Sequence, residues 1–255
     1  MKDINLKQVI TPVSDLRKNP DKMSELETQC LLGENLSLLE KKNDWGYCKC
    51  ELDNYYGWIN LSELGEIDSS NYKINTLLTH VYSEPDMKSN ILYCLHFNSK
   101  VSIIKKYQNW SKVSIGKNDG YIFNRHITKL SNVDNNFVRT SKLFLNTPYL
   151  WGGKTCLGID CSGLVQIVLH SAGIYIPRNT SEQQSFTSER LIEKKKVEDF
   201  CLIFWKGHVA ISIEKNKIIH SNAYHMSVII EPLDEAITRI KNSYGDIIVI
   251  KKIIV

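Results

Sequence analysis

Leu36, Leu38, Leu39, Trp45 and Cys48 recur sixty-five positions later as Val101, Ile103, Ile104, Trp110 and Val113. Further along, Gly57-Trp58-Ile59 recurs at an offset of sixty-three as Gly120-Tyr121-Ile122. The first half of the chain must therefore adopt one fold twice. Each copy alternates apolar and polar residues, turns, and alternates again, which predicts β-hairpins with one buried face. Several short strands and polar turns in about sixty residues close most naturally as a small β-barrel. A unit of that size buries little core alone and is stabilised by packing on a neighbour. The predicted modules span 1–68 and 69–131. The change of offset adds two residues to the first copy, in the loop Glu51 to Tyr56. Its aromatic pair, Tyr55 and Tyr56, either covers the barrel end or contacts a ligand.

After the polar joint Ser131 to Asn136 the pattern changes, and a third domain is predicted over 132–255. Phe137 to Leu145 reads as a helix with Val138, Leu143, Phe144 and Leu145 apolar, stopping before Thr147-Pro148. A second helix starts at Cys161 and runs to about Ala172, burying Leu164, Val165, Val168 and Leu169, with Gly173 as its stop. Strands follow at Cys201–Trp205, His208–Ile213, Lys217–Asn222, Val228–Glu231 and Ile247–Val255, with a helix near Leu233–Lys241. A helix set against an antiparallel sheet is an α+β layout.

The chemistry concentrates around that first long helix. Tyr149-Leu150-Trp151-Gly152-Gly153 leads into Asp160-Cys161-Ser162-Gly163, so a glycine loop delivers a cysteine to a helix start. The dipole and the unpaired N–H groups there favour thiolate over thiol. His208 and His220 follow on successive predicted strands. Cysteine, base and orienting residue form a nucleophile set. An even connection without a bulge would pair Ile213 with Ile218 and turn His220 to the opposite face. A three-residue connection, Glu214 to Asn216, pairs Ile213 with Lys217 and Ala210 with His220. His220 then lies diagonal to His208 on one face. His80, His96, His126, His170 and His225 lack such companions and read as structural or surface residues. No metal is expected: Cys161, His208 and His220 have no fourth ligand, and Cys48 and Cys50 have no second pair at zinc spacing.

With 42% hydrophobic and 24% charged residues, the chain has the balance of a folded globular protein. A net charge of +4, spread among many acids, points to no nucleic-acid partner. Lys194-Lys195-Lys196 reads as a solvated face. Met1 to Ile10 alternates charged and apolar residues, unlike a secretory signal, and no run is long enough to span a bilayer. Seven cysteines, an odd number, suit a reducing compartment, so the expected address is the cytoplasm.

Six motifs in order carry a family resemblance: Pro148-Tyr149-Leu150-Trp151-Gly152-Gly153, Asp160-Cys161-Ser162-Gly163-Leu164, Ile176-Pro177-Arg178, Leu202-Ile203-Phe204-Trp205, Gly207-His208-Val209-Ala210-Ile211 and Ile218-Ile219-His220. From about Phe137 to Val255 the chain resembles the NlpC family of papain-like cell-wall cysteine peptidases. The repeats, through Gly-Trp and Gly-Tyr, look like bacterial SH3 modules. The resemblance implies two small SH3-like β-barrels followed by an α+β papain-like catalytic domain, with no cofactor. Cys161 would be the nucleophile, His208 the base and His220 the orienting residue. The combination is similar to γ-D-glutamyl-L-diamino-acid endopeptidases (dipeptidyl-peptidase VI), which act on free peptidoglycan peptides. By that likeness Asp160 would bind the substrate's amino terminus, and Ser162 and Tyr149 would line the pocket. Tyr55 would close the pocket, and either Thr180 or Ser181 would supply a hydroxyl. The implied partner is a murein peptide, L-Ala-γ-D-Glu-diamino acid, handled in cell-wall peptide recycling. A CHAP-like N-acetylmuramoyl-L-alanine amidase and a non-catalytic wall-binding protein are the alternatives. One departure stands out: many relatives have Gly-Asp-Leu before the histidine strand, where this chain has Glu198-Asp199-Phe200-Cys201-Leu202.

Overall fold

A computed structural model describes residues 5–116, 118–186, 190, 191, 193, 197–214 and 216–253. The lysine cluster at 194–196 lies outside them. The chain divides into two compact units, Met1–Asn132 and Val133–Val255.

The first unit begins with β1 (Asn5–Val9), β2 (Val13–Arg17), β3 (Leu26–Leu31), β4 (Asn35–Lys42), β5 (Trp45–Cys50), β6 (Tyr56–Asn60) and β7 (Leu64–Gly65). It continues with β8 (Tyr72–Ile74), β9 (Leu78–Tyr82), β10 (Ile91–His96), β11 (Lys100–Lys106), β12 (Trp110–Ile115), β13 (Asn118–Phe123) and β14 (Ile127–Lys129). The first sheet runs β3-β2-β6-β5-β4-β1-β7 and the second β10-β9-β13-β12-β11-β8-β14. The second order is the first with seven added to each strand number, so the sequence repeat is also a repeat of topology. Each sheet has its own core: Leu16, Leu36, Cys48 and Ile59 in one, Val81, Val101, Val113 and Ile122 in the other.

Two details explain the repeat's residues. Register shifts fall between Leu38 and Glu40 and between Ile103 and Lys105, making Leu39 and Ile104 extra residues on their strands. Both are exposed, so these repeated apolar residues serve bulges and not the core. A Cβ on Gly57 would meet Leu16 Cβ at 3.0 Å, and one on Gly120 would meet Val81 Cγ1 at 2.3 Å. Leu16 and Val81 are themselves sixty-five residues apart, so each glycine admits the same close strand approach.

The second unit contains α1 (Phe137–Leu143), β15 (Lys154–Thr155), β16 (Gly158–Ile159), α2 (Cys161–Ser171), α3 (Thr180–Ser185) and β17 (Arg190–Leu191). Then come β18 (Cys201–Trp205), β19 (His208–Ile213), β20 (Lys217–Asn222), β21 (Ser227–Pro232), α4 (Leu233–Tyr244) and β22 (Val249–Lys252). The sheet runs β17-β22-β18-β19-β20-β21, antiparallel throughout. Ile203, Trp205, Ala210 and Ile218 pack with Leu233, Ala236 and Ile240 of α4. Helix α2 packs against β19 and β20, and all eleven of its residues are buried. Among the described residues, no helix is long and apolar enough to cross a membrane.

Helix α1 departs from expectation. It ends at Leu143, and Leu143 and Leu145 are exposed. The buried residues are Phe137, Thr140, Ser141 and Phe144, the i, i+3, i+4, i+7 stripe that a helix presents to a core. Helical spacing overrides side-chain polarity here. The unusual Glu198-Asp199-Phe200 segment is also resolved. Phe200 adopts φ 60°, a conformation costly for a bulky side chain. Its ring stacks on Phe137 at 3.7 Å between centroids and its N–H donates to Ser212 O, which together hold the turn in place of glycine.

Candidate active site

Asp160 builds the helix start. Its Oδ1 accepts from Gly163 N–H at 2.7 Å, capping α2, and its Oδ2 accepts from Gly152 N–H at 2.8 Å, tying in the glycine loop. Gly152 sits at φ 76° to make that contact. A Cβ at Gly163 would lie 2.5 Å from Gly153 O, so the Asp-Cys-Ser-Gly run needs glycine there. Arg178 then closes on the carboxylate with two parallel bonds of 2.9 and 2.6 Å and also donates to Ser162 Oγ at 2.8 Å. Both charged side chains are at most 9% exposed. This bidentate pair fixes the position of the next residue, Cys161.

Cys161 is buried, with Thr180 Oγ1 3.9 Å from its sulfur. Burial pushes the thiol up to about 11, Asp160 adds to the rise, and Val209 N–H, Thr180 and Arg178 oppose it. The expected thiolate preference is therefore corrected. A helix terminus contributes a few tenths to about 1 kcal/mol, and desolvation of the charged form outweighs it. At rest the thiol is neutral and needs a base.

The two expected histidines stand on adjacent strands. Lys206-Gly207 turns β18 into β19, starting that strand at His208. Ile213 pairs with Lys217, the register expected of a three-residue connection. His208 Nε2 lies 2.8 Å from His220 Nδ1. His220 Nε2 in turn lies 2.6 Å from Glu231 Oε1, and Glu231 pairs with Arg239. Burial lowers His208 well below the usual histidine range, helped by His220. Burial also lowers His220, against the pull of Glu231. Burial works to raise Glu231, yet the His220 bond and the Arg239 charge hold it below the usual carboxylate value. Both imidazoles are thus neutral near pH 7 beside an ionised acid.

A stability prediction follows from their sign. Between the folded values and about 6.5, the unfolded chain binds more protons than the native one, so stability is full above about 6.5 and falls as pH drops below it. Urea midpoints measured from pH 7.5 to 5.5 should decline, and less steeply in His220→Gln.

The other expected site residues divide. Tyr149 is half-buried, and burial, then the negative forms of Cys161 and Asp160, push its phenol up, keeping it a neutral donor. Ser162 is buried beside Asp160, Thr180 faces the thiol, and Ser181 is exposed. Tyr55 belongs to the first unit, packed on that unit's core with its hydroxyl donating to Glu27 at 2.7 Å. Sequence reasoning gave no role to Arg178, although Ile176-Pro177-Arg178 contains it, nor to Glu231, an acid closing the apolar run Val228-Ile229-Ile230. Among the described residues, no three His, Cys, Asp or Glu are grouped to hold a metal.

Residues 146–244 match the NlpC/P60 family, and residues 16–64 match the bacterial dipeptidyl-peptidase Sh3 domain. The second unit is an NlpC/P60 domain. The chain is accordingly a cysteine peptidase of NlpC/P60 type with an SH3 domain in its first unit. The gamma-D-glutamyl-L-lysine dipeptidyl-peptidase of Bacillus cereus is 28% identical over 241 residues, covering 83% of this chain and 72% of the relative. Dipeptidyl-peptidase 6 of Lysinibacillus sphaericus is 26% identical over 253 residues, covering 89% and 91%. An NlpC/P60 family protein from Bacillus cereus ATCC 10987 has the same fold, with a TM-score of 0.83 at 20% identity over 97% of this chain and 99% of that one.

Proposed function

We propose that this NlpC/P60 enzyme hydrolyses the γ-D-glutamyl–diamino acid bond of free murein peptides whose L-alanine is unblocked. The observation that carries the reading is the span of the two relatives named as dipeptidyl-peptidases, which match across both units and not the peptidase domain alone. The same reading assigns three domains, with SH3-like barrels at 1–68 and 69–131 and the peptidase at 132–255. Support for the second barrel is the strand order it shares with the first.

In this mechanism His208 takes the Cys161 proton as the sulfur attacks the γ-carbonyl carbon. The oxyanion is held by the Cys161 N–H at the helix start and the neutral Tyr149 hydroxyl. The carbon–nitrogen bond breaks, His208 returns its proton to the leaving amine, and water hydrolyses the thioester. Thr180, not Ser181, is the hydroxyl assigned to the pocket, because it faces the thiol. Asp160 and Ser162 form the wall beside it. A role in recycling released wall peptides in the cytoplasm fits an odd number of cysteines, seven, as a reducing compartment allows.

The test is digestion of L-Ala-γ-D-Glu-L-Lys beside its N-acetylated form. Acetylation should slow cleavage by about 100-fold or more, since a carboxylate in the site loses its charged partner. Equal rates would overturn the recycling role and favour a hydrolase of the intact wall.

A further inference from the structure

Glu231 and Asn222 both address Nε2 of His220, and they require opposite things of it. Asn222 Oδ1 accepts from His225 N–H at 2.8 Å, which turns the amide so that Nδ2 faces His220 Nε2 at 3.0 Å. An amide nitrogen is a donor only, and an ionised carboxylate an acceptor only. Asn222 therefore asks for a bare Nε2, and Glu231, at 2.6 Å, asks for Nε2–H. The charge-assisted bond is shorter and stronger, and Arg239 keeps the carboxylate ionised, so the proton sits on Nε2.

The consequence passes along the rings. With Nε2 protonated, neutral His220 has a bare Nδ1, which accepts from His208 Nε2–H at 2.8 Å. That leaves the lone pair of His208 on Nδ1, the only ring nitrogen available to the Cys161 thiol. We infer that Glu231 is a positioning residue that sets the direction of the His220–His208 relay, with Asn222 holding the opposite direction in reserve. This rests on the reading of Cys161 and His208 as nucleophile and base. Without the Glu231 acceptor, Asn222 donates to Nε2 of His220, and His220 carries its proton on Nδ1. That proton is donated to His208 Nε2, and His208 is left with Nδ1–H toward the thiol. No proton is lost in the switch, yet the base is. The other groups facing the relay are Arg239 and Tyr244 of α4, His225 after β20, and Trp205 of β18.

Imidazole nitrogen-15 NMR of histidine-labelled protein reads the tautomers directly, whatever the substrate. Both rings should be Nε2–H in the native protein. Glu231→Met, similar in size but without an acceptor, should invert both to Nδ1–H and lower kcat on the murein tripeptide by about 10- to 100-fold with KM unchanged. Glu231→Gln, whose carbonyl can accept from Nε2–H, should keep the native tautomers and recover most of kcat. Nδ1–H on either ring in the native protein would overturn the assignment, even if the methionine variant fails to fold. So would native tautomers in Glu231→Met, or a glutamine variant as impaired as the methionine one. If the native protein cleaves no murein peptide while the tautomers invert as described, the substrate reading fails and the role of Glu231 stands.

Discussion

Cys161→Ala should remove peptide hydrolysis by about 10⁴-fold or more while leaving the fold intact. The thiol is buried and neutral at rest, so its loss leaves no charge unpaired and costs little stability. His208→Ala should be about as severe, and the double variant little worse than either, because nucleophile and base act as one unit. Since burial holds His208 well below the usual histidine range, the acid limb of kcat/KM should fall below the range of an ordinary histidine. Steady-state rates with circular dichroism on each variant check this. Hydrolysis retained in Cys161→Ala would remove the thiol from the mechanism.

Arg178→Met should be the most destabilising of the substitutions near the site, by about 3–5 kcal/mol, because it strands a buried carboxylate. Asp160 keeps its bonds to Gly152 and Gly163 but loses both guanidinium bonds. Adding Asp160→Asn removes the charge and keeps a capping side chain, so the double variant should recover much of the loss. Denaturant midpoints of the two single variants and the double variant give the coupling. Additive losses would mean that the ion pair contributes nothing beyond its separate groups.

Much of this was legible from residue patterns, for reasons particular to each element. The sixty-five-residue offset carried over to strand order because the spacing of Leu36, Trp45 and Cys48 fixes strand length, turn and buried face together. The hairpin register was legible as one of two, and Ile213 opposite Lys217 is the three-residue case. The end of α1 at Leu143 was not legible, because apolar Leu145 continues the pattern and its exposure shows only in the folded chain. The charge of Cys161 was misread because its helix start was visible and its enclosure was not. Arg178 and Glu231 escaped because their partners, Asp160 and His220, lie eighteen and eleven residues away, and only the folded strands and loops bring them together. Phe200 at φ 60° has no local signal either, since the ring that stacks on it comes from α1.

The most direct measurement is the mass of the products formed from free L-Ala-γ-D-Glu-L-Lys. This account predicts the dipeptide L-Ala-D-Glu and free lysine, with neither formed by Cys161→Ala. An untouched tripeptide, together with release of peptide from a muramoyl-linked substrate, would contradict it and identify an amidase instead.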